Sequence, residues 1–326
     1  MSRLLHLSVE YYYYPVLASI GVPVNLLAIV VLSRGKCGLS KCITRYLVAM
    51  ATADLTVIVC EVIINRIAVL YWWNTILYYT PVCRCILFLS AAAVDCSVWF
   101  TVAFTFDRFV AISKENLRSR YCTDRIAAVV MVTLCTFFCL QNVPWPFAYN
   151  SFHRQNGLLW GCRIRSDLYF LPAWIAFSWS EPLLTPVIPF CLILLFNAHT
   201  ARRILMANRV RRRLRDLSRG DPETESRKRS IILLFAISSS FILLWVTTIS
   251  HFVYYRCVNG FWVRGFTNTY AKFEKIGVLL QLLNTCTNTL IYTVTQGKFR
   301  EQLLHALQWP VALTGKFVQN VKSFFK

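Results

Sequence analysis

The stretch "SVWFTVAFTFDRFVAI", residues 97–112, is mostly aromatic and β-branched, yet it sets Asp107 beside Arg108. An ionisable side chain near the centre of a bilayer costs about 2.5–3.5 kcal/mol on insertion scales, so each one calls for a partner or a task. Asp54 stands in "LVAMATADLTVIV", and Asn25, Ser97, Asn284 and Asn288 stand in comparable apolar runs. One or two such groups are ordinary interhelical hydrogen-bonding side chains, contributing about 0.6 kcal/mol each. Five at similar depth point instead to a shared polar cluster. The chemistry this favours is buried electrostatics rather than bond-making. No nucleophile–base pair and no metal motif stands out, so an enzyme is not expected.

The elements that must position these residues are membrane helices. The 326 residues are 56% hydrophobic, and the mean hydropathy is +0.50. A soluble domain holds about 45–50% apolar residues even counting glycine. Charge is scarce and lopsided, with 35 Lys and Arg against 15 Asp and Glu. A basic chain can bind nucleic acid, but the apolar runs leave no soluble fold to carry that function. The 13 cysteines are scattered, and Cys37 and Cys42 read as free thiols. The first ten residues hold Arg3, His6 and Glu10 and no long apolar run, so no cleavable leader is expected. No Asn-x-Ser/Thr sequon is present.

A spanning helix needs about 20 largely apolar residues. Seven segments qualify: 12–33, 43–71, 83–110, 125–146, 179–206, 227–255 and 274–295. The expected class is therefore an all-α membrane protein, a bundle of seven transmembrane helices. Residues 1–11 read as a short extracellular N-terminus, 12–295 as the membrane domain, and 296–326 as a cytoplasmic amphipathic helix and tail. In "GKFREQLLHALQW", Phe299, Leu303, Leu304 and Leu307 recur at helical spacing, which suits a helix lying on the membrane. Most Lys and Arg fall after spans 1, 3 and 5 and in the tail, which puts the N-terminus outside and the C-terminus inside. The basic loop "RRRLRDLSRGDPETESRKR" (211–229) can contact anionic lipid headgroups or dock a cytoplasmic partner. No internal repeat of the kind found in transporters is seen.

These residues resemble the rhodopsin-class G-protein-coupled receptors. "GVPVN" supplies the family's span-1 asparagine as Asn25, and "LVAMATADL" its span-2 aspartate as Asp54. "DRF" stands for Asp-Arg-Tyr, and "NTLIY" for Asn-Pro-x-x-Tyr. Within the class, "LSRGKCGLSKCITRYLVAMATADL", "DCSVWFTVAFTFDRF", "RKRSIILLFAISSSFILLW" and "CTNTLIYTVTQGKFREQ" are similar to the orphan group of G-protein coupled receptor 139. That group is linked to aromatic amino acids as ligands and mainly to the Gq class of G protein.

The resemblance implies roles. Cys83 at the head of span 3 would bridge to Cys162 in "WGCRIR", with Cys85 as the competing partner. Arg108 would pair with Asp107 at rest and extend toward a heterotrimeric G protein when active. Without the resemblance, an arginine snorkelling at a helix end is an equal reading. Trp245, Asn288 and Tyr292 would complete the switch. Asp54, Ser97, Asn284 and Asn288 would match the positions that hold an allosteric sodium ion; no other cofactor is implied.

The chain also departs from the pattern. Phe109 replaces a tyrosine, Thr289 and Thr247 replace prolines, Asn197 replaces the inner tyrosine of span 5, and Cys135 stands near the place of the span-4 tryptophan. The acid that latches the arginine to span 6 would fall at Arg227, so no such latch is expected. Ser90 stands where amine receptors carry an aspartate, and Leu282 where opsins carry a lysine.

For the ligand, a free aromatic amino acid asks for a cation, an anion and an apolar slot. Arg66 or Arg163 would take the carboxylate, Glu181 or Glu61 the ammonium, and Trp245 and Phe252 the ring. Glu61 and Arg66 could equally pair with each other, and Asp95 could be a packed core acid. A chemosensory receptor of the same fold and an ion-conducting or transport protein are the competing functions. Beyond residue 296, Thr314 and Ser323 are the hydroxyl side chains and no cysteine occurs, so arrestin recruitment through the tail is expected to be weak.

Overall fold

Inside a bilayer no water satisfies backbone N–H and C=O groups, so a chain crosses as helices or as a closed barrel, and apolar runs of about 20 residues select helices. The computed structural model describes residues 2–72, 75–113, 115–155, 158–213, 222–259, 268–306 and 308. Six described helices are long and apolar enough to span: Val9–Ser33, Lys41–Ile67, Thr80–Ser113, Asp124–Ala148, Pro172–Ala207 and Lys228–Tyr254. The seventh long helix, Asn268–Thr295, is more polar because Asn284, Thr285, Thr287, Asn288 and Thr289 crowd its second half. It packs most extensively on the sixth.

We number the helices α1 (Ser2–Ser33), α2 (Lys41–Val57 continuing through Ile58–Ile67), α3 (Thr80–Ser113) and α4 (Asp124–Asn142). Then follow α5 (Pro172–Pro182, Leu183–Val187 and Ile188–Arg213), α6 (Pro222–Asn259), α7 (Asn268–Thr295) and α8 (297–306). Helix α3 is the axis of the bundle, touching α2, α4, α5 and α6. Helix α4 is the most lipid-exposed, turning Val132, Leu140 and Val129 outward. Three apolar clusters fill the interior. The inner one gathers Leu47, Met50, Phe104, Leu234 and Tyr292; the outer one joins Tyr14, Ile58, Val62 and Leu282; the third packs Ile193, Phe241 and Trp245.

Several edges lie beyond the expected ones. Residues 2–11, read as an extracellular segment, continue α1 as helix. Helix α5 starts at Pro172 because a proline at the first helical positions loses no hydrogen bond. Hydropathy detects where a chain meets lipid, not where a helix stops. Leu307, residues 214–221 of the basic loop, and the tail with Thr314 and Ser323 lie outside the described residues.

Two local features shape the outer half. The stretch Ile58–Ile67 is wound as a π-helix, whose i→i+5 bonding brings residues five apart toward one face. Between α4 and α5 the chain makes two antiparallel ladders, β1 (Tyr149–Asn150) with β4 (Arg163–Ile164) and β2 (His153–Gln155) with β3 (Leu158–Trp160).

Candidate functional site

At the end of the bundle that carries the basic loops, Arg108 donates to Asp107 through Nε at 3.0 Å and also through Nη2. Both side chains are buried, at 7% and 6% exposure. A charge held in apolar surroundings requires such a partner. The other Asp107 oxygen accepts from the Cys42 thiol at 3.2 Å, and its backbone carbonyl from the Cys122 thiol at 3.5 Å. Burial, with the Asp107 charge second, pushes the Cys122 thiol up to about 11, so it remains protonated and can donate. Arg108 also reaches α6, where Ser230 Oγ accepts from Nη1 at 3.3 Å. No acidic latch to α6 was expected, and the contact that Arg108 makes there is with a hydroxyl, not an acid. The Arg227 side chain lies outside the described residues, but a neutral hydroxyl three residues on makes the contact.

Midway along the bundle, Asp54 is fully buried. Its Oδ1 accepts from Ser97 Oγ at 2.5 Å and its Oδ2 from Asn288 Nδ2 at 2.8 Å, joining α2, α3 and α7. The buried Asn284 Oδ1 and Tyr292 hydroxyl have no hydrogen-bond partner among the described residues. Asn25 does not join this group by direct bonds. Its amide donates to Gly21 O and Thr285 O, both at 2.9 Å, and so ties α1 to α7. Trp245 stacks on Phe241 with ring centroids 5.3 Å apart, in the apolar cluster that holds Val98 and Ile193.

In the outer half, the π winding brings Glu61 and Arg66 into an ion pair of 2.7 Å. The second Glu61 oxygen accepts from Asn65 at 2.9 Å and from Ser90 on α3 at 2.8 Å. The Arg66 guanidinium lies over the Tyr14 ring, 5.9 Å from its centroid. The intramolecular pairing of Glu61 with Arg66 is thus the arrangement present. Ser90 brings α3 into contact with an acid after all, supplied by α2. Arg163 is exposed on β4, Glu181 is half-buried on α5, and Phe252 meets Trp179 edge-on at 6.5 Å. Of the six residues expected to hold a ligand, Arg163 stands on β4 of the outer loop, Glu61 and Arg66 on α2, Glu181 on α5, and Trp245 and Phe252 on α6. Sequence reading missed Asn65, Tyr14 and Lys275, which pairs with Glu10 at 2.8 Å. Asn65 stands four residues from Glu61, an ordinary helical spacing visible in the sequence, whereas Tyr14 lies on α1 and no spacing connects it to Arg66.

The loop above is clamped. Cys83 is bonded to Cys162, and Cys85 is a free thiol. Gly161 next to the bridge has φ +79°, and a Cβ there would stand 2.7 Å from Phe152 Cβ, so only glycine fits without displacement. Its N–H donates to Tyr78 O at 2.7 Å, and its carbonyl accepts from Thr80 Oγ1 at 2.9 Å. Deeper, Asp95 is buried and accepts from Asn142 Nδ2 at 2.6 Å, which bears out its reading as a packed core acid.

The family model of 7 transmembrane receptors (rhodopsin family) matches residues 24–292. Among curated proteins, the chain is 22% identical over 306 residues to the FMRFamide receptor of Drosophila melanogaster, covering 87% of the chain and 51% of that receptor. It is 29% identical over 300 residues to Probable G-protein coupled receptor 142 of Mus musculus, covering 88% and 70%. It is 24% identical over 305 residues to the thyrotropin-releasing hormone receptor of Homo sapiens, covering 87% and 74%. The chain thus spans about half the length of the fly receptor and most of the two mammalian ones.

Proposed function

The chain belongs to the rhodopsin family of seven-transmembrane receptors, and from that premise we propose a plasma-membrane receptor, N-terminus outside, that activates a heterotrimeric G protein. Residues 12–295 form its receptor domain, and 296–326 a membrane-surface helix and tail. The observation that carries the reading is the buried Asp107–Arg108 pair beneath α6. At rest Asp107 offsets the Arg108 charge. When α6 moves away, Arg108 loses Ser230 and is left to face the cavity that receives the G protein. A ligand favours that packing only by binding it more tightly than the resting one.

The ligand of this reading is a small aromatic amino acid or similar molecule, and the G protein is of the Gq class, both by resemblance to the 139 group. Arg66 retains guanidinium N–H groups beyond those given to Glu61, so it can take a carboxylate without first losing its partner. A zwitterion would add to the Glu61–Arg66 pair, its carboxylate on Arg66 and its ammonium going to Glu61 or Glu181. Trp245 and Phe252 would border the ring, and Arg163 would act at the entrance.

The Asp54 site suits a sodium ion. Asp54 offers a carboxylate, Ser97 a hydroxyl, and Asn284 an amide oxygen that has no hydrogen-bond partner among the described residues. Asn288 presents its amide nitrogen to Asp54 and would have to turn over to serve as an oxygen ligand. A bound ion would offset the buried carboxylate charge and favour the resting packing.

A second reading is a bulkier ligand that rests on the outer hairpin. Phe152, Leu158 and Leu159 are exposed there. Two relatives carry the names FMRFamide receptor and thyrotropin-releasing hormone receptor. The experiment is G-protein dissociation in cells expressing the chain, with tryptophan and phenylalanine as ligands and Arg108→Ala alongside. A response to either amino acid, lost in the variant, is expected. A surface-expressed chain that answers to neither would sink the amino-acid reading.

A further inference from the structure

The bridge that fastens the outer loop to α3 also draws two arginines together in the fold. Arg84 follows Cys83, Arg163 follows Cys162, and the bridged α-carbons are 6.3 Å apart. Arg84 lies half-buried near the N-terminal end of α3, and its Nη2 donates to the carbonyl of Tyr149 on β1. In the β1–β4 ladder Tyr149 stands opposite Ile164, and Asn150 opposite Arg163. Arg84 is thus tied to the strand that pairs with the one carrying Arg163. A guanidinium has five N–H donors and stays charged. Among the described residues no acid pairs with Arg84, Arg163 or Arg154, and the Nε of Arg84 is buried without an acceptor. Three acids of the outer half pair elsewhere: Glu61 with Arg66, Asp167 with Arg165 and Glu10 with Lys275. A charge partly withdrawn from water calls for a counter-charge. The N-terminal end of a helix is the positive end of its dipole, which sharpens that need for a cation.

We propose that Arg84, joined by Arg163, forms an oxyanion site on the outer face of the bridge, taking a carboxylate or a sulfate-like group. The planar guanidinium matches two oxygens of such a group at once. The root of Arg84 is held in advance. The bridge fixes the preceding residue, Cys83 N–H bonds Tyr79 O at 2.9 Å, and the Tyr149 carbonyl holds the guanidinium. An anion bound there offsets the Arg84 charge and ties α3 to the outer loop beside the disulfide. Two sources carry this chemistry, a free anion of the surrounding fluid and the acidic group of a ligand. The site is separate from the Glu61–Arg66 pair and does not depend on the amino-acid reading.

The test uses the full chain in maltoside micelles, which carry no phosphate, and no agonist. Sodium sulfate replaces sodium chloride at constant ionic strength, and the melting temperature is followed. A saturable rise is expected for the unaltered chain, and its loss in Arg84→Gln. Arg163→Gln should raise the half-saturating sulfate concentration about two- to fivefold, the worth of one exposed charge contact. Arg84→Lys keeps the charge without the fork, so it should still respond but need more sulfate. Sulfate also stabilises proteins by exclusion from their surface, without a site. A rise of the same size and midpoint in every variant would be that effect and would overturn the proposal, as would no rise in the unaltered chain. Tryptophan dose–response curves in cells, with and without sulfate, then separate the two sources. Potency that falls with sulfate in the unaltered chain but not in Arg84→Gln assigns the site to the ligand's own carboxylate. Potency that sulfate leaves unchanged or raises assigns it to a free anion. No response to tryptophan at all would count against the amino-acid reading, while a sulfate-dependent melting shift lost in Arg84→Gln would leave the anion site standing.

Discussion

Asp54 and Arg66 are the two side chains whose replacement separates a receptor site from structural polarity. Asp54→Asn keeps the bonds to Ser97 and Asn288 possible but removes the charge that a cation needs. Agonist affinity of the unaltered chain is expected to fall when sodium replaces an inert organic cation, and in Asp54→Asn it should become flat. Sodium sensitivity that persists in the variant would remove the ion from Asp54. Arg66→Glu places two carboxylates at Glu61, which repel. Amino-acid potency should fall at least tenfold, read from dose–response curves at matched surface expression; normal potency would take Arg66 out of the binding set. Asp54, Asp107 and Arg108 were legible in the sequence because a charge in an apolar run has few innocent explanations. Ser230, Ser90 and Asn142 were not. Hydroxyls and amides recur throughout such helices, and only packing decides which of them meets a charge.

At the level of elements, the outer loop and the α3–α4–α5 junction carry separate predictions. The Cys83–Cys162 bridge joins residues 79 apart in sequence, and beside it Gly161 is held by Tyr78 O and by the Thr80 hydroxyl. Without the bridge the loop keeps those bonds and its two short ladders, but the entropy of a long loop returns. Cys162→Ala should therefore lower surface expression and weaken agonist potency together, as measured by flow cytometry and dose–response. Loss of expression with unchanged potency would show that the loop does not shape the site. At the junction, α5 breaks at Thr185, where φ is −146° and ψ is 106°. Ile188 N–H turns back to Leu183 O, and Pro189 has no N–H to offer Leu184 O. The Trp99 indole fills that vacancy at 3.1 Å, while Asp95 four residues earlier on the same face binds Asn142. Asn142→Leu leaves a buried carboxylate oxygen without its donor, costing about 1–3 kcal/mol. A melting temperature several degrees lower in detergent is expected; an unchanged one would mean that Asp95 finds another donor. The break and the π winding of α2 were not legible. Both are departures from regular helical bonding, and apolar periodicity averages over them.

For the whole molecule, two independent signals support the proposed orientation. Lys and Arg concentrate at the end holding Arg108: Arg34, Lys36, Arg118, Arg120, Arg202, Arg203 and Lys298 all lie there. Such residues are retained on the cytoplasmic side. The bridged Cys83–Cys162 pair lies at the opposite end, and disulfides persist in oxidising compartments. Cys37, Cys42 and Cys122 at the basic end are free thiols, and so is Cys85 near the bridge, so the bridge itself carries the redox signal. Charge and redox state arise from different physics, yet they assign the same face. The number of crossings was legible because lipid demands a long apolar run for each, whereas the helical extensions into water at α1, α5 and α6 leave no hydropathic trace. An odd number of crossings with this polarity puts the two termini on opposite sides. A tag before Ser2 should be stained on intact cells, and one after Lys326 only after permeabilisation. Staining of both tags on intact cells would mean that one long helix does not cross, and α7, the most polar of the seven, would be the helix to suspect.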